Sequence, residues 1–100
     1  MKPEITDRLD RSEIRVLSKG QNFCVFVRDG CLAMVPWDRE TFGGIGSTGL
    51  SLDRGLAYLV WRDGRHLLAG NDFEIPAEPG QVEKILQFSA DLKAALGLDL

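Results

Sequence analysis

The chain has 100 residues, 44% of them hydrophobic and 27% charged, with a net charge of −3. That is enough for one hydrophobic core, and it excludes disordered and collagen-like classes. No apolar run approaches the ~20 residues of a membrane-spanning helix, and the charged N-terminus lacks the apolar stretch of a signal peptide.

The expectation is therefore a single domain over residues 1–100 in the cytoplasm, with no membrane partner. Residues 1–71 hold ten basic and nine acidic residues, and residues 72–100 hold two basic and six acidic. Nowhere do Lys and Arg cluster as a nucleic-acid backbone requires, so no nucleic-acid partner is expected either.

Residues 3–18 read as an N-terminal helix. Pro3 suits the first turn and Gly20 a stop after the last, while Glu4–Arg8 and Asp7–Arg11 are acid-before-base pairs at i,i+4. Ile5, Leu9 and Val16 share a face. Ile14 does not, and its alternation with Val16 leaves a short strand at 13–17 as the competing reading.

Two β-hairpins follow, at about 22–37 and 56–70. Each centres on an Asp-Gly dipeptide, Asp29-Gly30 and Asp63-Gly64, which accepts the positive φ angles of a type I′ turn. A two-residue turn fixes the register, so Phe23 faces Pro36 and Trp61 faces His66. Neither hairpin has a polar face. An antiparallel sheet wetted on one side should alternate apolar and polar residues, so both faces of this one require cover.

Between the hairpins lies an 18-residue connection, 38–55, with five glycines. It reads as a flexible link, and its tail, Gly44-Ile45-Gly46-Ser47-Thr48-Gly49, fits the G-x-G-x-x-G template. The template holds a dinucleotide only where a strand leads through the glycines into a helix, and no helix fits before residue 56. No Lys-Ser/Thr pair follows, so a P-loop is excluded. An anion nest remains the alternative ligand site: backbone amides around Gly44, Gly46, Ser47, Thr48 and Gly49, with Arg39 and Arg54 supplying charge.

Residues 79–96 form the clearest helix, with Pro79 at its entrance and Gly97 past its end. Val82, Ile85, Leu86, Leu92 and Leu96 make an apolar stripe at helical spacing, widened by Phe88 and Ala95. The fold class is α+β: an antiparallel sheet of two hairpins with an N-terminal and a C-terminal helix. In element order alone this resembles profilin-like and roadblock-type domains and small acidic secretion chaperones; no motif is shared.

No catalytic constellation, metal-ligand spacing or cofactor motif emerges. Cys24 and Cys31 lie four residue steps apart on one hairpin face, ~13 Å, which is too far for a disulfide. The leading function is a non-enzymatic protein-interaction module, a homodimer or the partner of another protein. A small-molecule or phosphate binder using 38–55 is the alternative, and an enzyme using Cys31 or His66 ranks below both.

Overall fold

The protein runs helix α1 (Pro3–Arg11), strands β1 (Arg15–Lys19), β2 (Phe23–Arg28), β3 (Cys31–Pro36), β4 (Thr48–Leu52), β5 (Gly55–Arg62), β6 (Arg65–Ala69) and β7 (Glu74–Pro76), then helix α2 (Pro79–Leu96). These elements are seen in a computed structural model, which describes residues 1–98. The seven strands form one antiparallel sheet in chain order, each beside its sequence neighbours. The α+β class read from the sequence is the observed one.

Both Asp-Gly hairpins close as their turn chemistry dictates. Asp29 and Gly30 have φ of 49° and 82°, and Asp63 and Gly64 have 53° and 77°. Positive φ at both central positions is the type I′ geometry, whose twist matches that of the flanking strands. The registers follow, from Phe23 opposite Pro36 to Arg28 opposite Cys31, and from Tyr58 opposite Ala69 to Arg62 opposite Arg65.

The first helix is shorter than its pattern suggests, ending at Arg11 instead of Ser18. Glu13 turns left-handed at φ 58°. The Ile14 N–H then donates to the Leu9 carbonyl at 2.9 Å and the Glu13 N–H to the Asp10 carbonyl at 3.0 Å. This is a Schellman close made without glycine, with buried Ile14 and Leu9 as its apolar contact. The chain leaves it extended, and Arg15 and Val16 pair with Val27 and Phe26. The alternation of Ile14 and Val16 outweighs the weak helical stripe.

The long connection is also partly strand. Thr48–Leu52 pairs with β3 on one side and with β5 on the other. Asp53-Arg54 turns β4 into β5, with Gly55 at φ 118° completing the turn. The non-strand link shrinks to 37–47, pinched by a bridge between Trp37 and Phe42. A last short strand, β7, had no signal in the sequence beyond Ile75 between two polar or breaking residues.

Helix α2 has the expected bounds. The Glu78 N–H donates to Gln81 Oε1 at 2.9 Å at its start. Gly97, at φ 74°, ends it, with the Leu98 N–H reaching the Lys93 carbonyl at 2.9 Å. The buried face is Ile85, Phe88, Leu92, Ala95 and Leu96, rotated from the expected stripe. Leu86 sits on the flank and is 52% exposed.

Both helices pack on the same side of the sheet. Ile5, Leu9, Ile85, Phe88 and Leu92 join Cys24, Phe26, Ala33, Val35, Leu50 and Ala57 in one buried cluster. Arg28 fastens the three parts together. It donates to the Ser12 carbonyl just beyond α1 at 3.0 Å, pairs with Asp91 of α2 at 2.9 Å, and lies over the Phe88 ring. This hairpin-tip arginine is mostly buried. The Arg8 Nε–H donates to the Ala95 carbonyl at 2.9 Å, so a cation meets the negative end of α2.

Candidate functional site

The sheet face turned away from both helices is apolar. Strand alternation puts Val25, Val27, Leu32, Met34, Tyr58 and Val60 there, because their neighbours Cys24, Phe26, Ala33 and Ala57 point into the core. Phe23 is 47% exposed and Met34 46%. Leu67 is buried on this face, yet it stands outside the core cluster. Sequence reasoning saw that both faces are apolar but not which of them the helices take: Phe23, Val25 and Val27 are uncovered, and Cys24, Phe26 and Val35 lie under the helices. The intervening strand β4 sets Tyr58 and Val60 on the same side of the sheet as Leu32.

Glycine shapes the middle of this face. Leu50 points into the core, so its neighbour Gly49 lies on the open side, between Leu32 and Tyr58. It brings no side chain, and a dimple of about 50 Å³ opens among Val25, Leu32, Met34, Leu56 and Tyr58. A Cβ at Gly49 would run into the Ala57 carbonyl. The last glycine of the G-x-G-x-x-G match thus has a packing role.

The seven residues of the expected anion site are not gathered. Thr48 and Gly49 belong to β4, and Gly44, Gly46 and Ser47 form the exposed run leading into it. None of these glycines takes a positive φ, whereas a nest alternates right- and left-handed residues. Arg39 does, at φ 80°, inside a turn held by Asp38, whose Oδ1 accepts from the Glu40 N–H at 2.9 Å and the Thr41 N–H at 2.7 Å. Those amides hold the Asp38 carboxyl below the usual carboxylate range. Arg54 lies across the sheet, its guanidinium 4.4 Å over the Phe73 ring.

Neither cysteine is placed as a nucleophile. Cys24 and Cys31 are free and buried. Burial pushes both thiols up, and for Cys31 it outweighs the opposing pull of Lys84 and Arg28. His66 meets Trp61 edge-on with ring centroids 4.6 Å apart, the cross-strand pair the register implied. Arg62, opposite the like-charged Arg65, is neutralised by Glu74 through two contacts of 2.8 Å.

Among the described residues no helix is long and apolar enough to cross a membrane. The chain matches no protein-family model, no curated protein and no solved structure.

Proposed function

We propose that this chain is a non-enzymatic interaction module that assembles as a homodimer through the open face of its sheet. One observation carries the reading: both helices lie on one side, and the other side presents an apolar centre with Arg15, Ser51, Arg62 and Glu74 towards its margins. Contiguous apolar surface with a polar surround is what protein interfaces look like.

Surface area points the same way. A monomer of 11.1 kDa exposes on the order of 5,700 Å² on the usual size scaling, and this chain exposes 6352 Å². The excess of roughly 650 Å² approaches the ~800 Å² each partner contributes to a standard interface. A twofold dimer covers one patch with its own copy, the commonest solution.

The edges are poor alternatives. β1 carries a bulge between Val16 and Ser18 together with Arg15 and Lys19, and β7 is three residues long with a terminal proline. These features blunt an edge against pairing. The dimple beside Gly49 suits insertion of a flexible side chain, and exposed Met34 of the second copy is the adaptable candidate. Two free cysteines fit a reducing, cytoplasmic setting.

The test is to place a charge at the centre of the face. Met34→Glu and Leu56→Glu should each weaken self-association roughly tenfold to a hundredfold, the equivalent of ~1.5–3 kcal/mol of lost apolar burial. Unchanged association in both variants sinks the proposal.

A further inference from the structure

A second apolar surface lies on the helix side of the sheet, at the end opposite α1. Seven strands at ~4.8 Å spacing span ~29 Å between the outermost two, and two helices packed 8–10 Å apart cover only about two-thirds of that width. α2 packs on β3 and β4, and its buried face shares one core with Ala57 of β5 and Leu68 of β6. Beyond the far flank of α2, a groove of about 730 Å³ opens against the ends of β5, β6 and β7. Its walls are Val82, Leu86 and Ala90 of α2, and Trp61, His66 and Pro76 on the sheet side. Trp61 is 65% exposed. A smaller hollow of about 280 Å³ lies beside Leu86, Ser89, Ala90 and Lys93.

Val82, Leu86 and Ala90 recur every four residues, so they form a straight row along the helix. Their row is flanked by Glu83 towards the start of α2 and ends at Lys93, ten residues and ~15 Å further on. Among the described residues neither Glu83 nor Lys93 has an ion-pair partner. We propose that this groove receives an amphipathic helix of a partner protein, lying antiparallel to α2 as the third helix of the layer. The two charges of α2 favour one direction, with Arg65 also lining the sheet side of the groove. A helix is favoured by acids in its first turn and bases in its last. Laid antiparallel, such a helix brings its basic end to Glu83 and its acidic end to Lys93, with its apolar stripe on Leu86 and Trp61.

This inference is independent of the homodimer, because the two surfaces lie on opposite sides of the sheet. The probe is a capped synthetic peptide of about 14 residues, ~21 Å as a helix and so long enough to span the ~15 Å from Glu83 to Lys93. It carries leucines at i, i+4 and i+7, two glutamates in its first turn and two lysines in its last. Anisotropy of a labelled peptide should show saturable binding near ~10⁻⁵ M. Leu86→Glu should weaken it at least roughly tenfold. Glu83→Lys should weaken it as well, and a peptide with its end charges exchanged should recover binding to that variant. Met34→Glu, on the other side of the sheet, should leave the affinity unchanged. Absence of saturable binding overturns the proposal, as does equal binding of a peptide with its leucines scrambled. Loss through Met34→Glu overturns it too, since the peptide would then sit on the open sheet face.

Discussion

Glu13 holds a left-handed conformation in which a β-carbon is strained, and it does so to close α1. Glycine has no such penalty there. Glu13→Gly should therefore leave the fold intact and raise stability, by up to about 1 kcal/mol, despite the greater freedom glycine brings to the unfolded chain. Chemical denaturation measures this directly; a loss of 1 kcal/mol or more would mean that the Schellman close is not formed. At two leucines of α2 the structure separates what the sequence pattern merged. Leu92→Ala, in the core, should cost ~2–5 kcal/mol, whereas Leu86→Ala, on the flank, should cost less than about 1 kcal/mol. Equal losses would contradict the observed rotation of α2.

The cysteines give a pH dependence with a definite sign. Burial raises both thiols in the folded state, so the unfolded chain releases these protons first as pH rises. Their contribution to stability is fully present below the ordinary thiol pKa near ~8.5, and it is lost as pH climbs from there through the folded values. Denaturation midpoints should therefore fall on the alkaline side, and less steeply in Cys31→Ala. A parallel fall in that variant would assign the alkaline loss to other groups. These residue-level features were unevenly legible. The turn at Asp29-Gly30 was plain because only a few residues tolerate positive φ, and that at Glu13 was hidden because glutamate carries no such signal.

Among the elements, β4 explains most of the difference between expectation and structure. Five glycines in 38–55 suggested a link without structure, and local composition does favour one. Strand formation there depends on partners far apart in sequence, since Gly49 lies between Leu32 and Tyr58. Only the tertiary arrangement supplies them. Gly49→Ala tests the strand's close fit. A Cβ would press on the Ala57 carbonyl, so the change should cost ~1–3 kcal/mol, as overpacking does, instead of the gain expected when alanine replaces glycine in a mobile link. A neutral or stabilising effect, measured by thermal melting, would return this segment to the status of a linker. Helix α2 was legible end to end because proline and glycine punctuate it, but its core face was not. Val82, Leu86 and Ala90 are as apolar as a core row, and in this chain they face a groove.

At the scale of the whole molecule, the sequence foretold an apolar surplus on the sheet without foretelling which side would be left bare. Periodicity can show that both faces of a strand are apolar; it cannot say that two helices will share one of them. Arg28 makes the choice intelligible. Its reach to Ser12 and Asp91 draws α1 and α2 to the face carrying Cys24 and Phe26, and Phe23, Val25 and Met34 are left on the other. If that bare face is an interface, the chain at micromolar concentration is not a monomer. Sedimentation equilibrium of the unaltered protein is the most direct measurement. A homodimer gives a mass of twice 11.1 kDa, falling towards the single-chain value only on strong dilution. A single-chain mass maintained to the highest attainable concentration would contradict it.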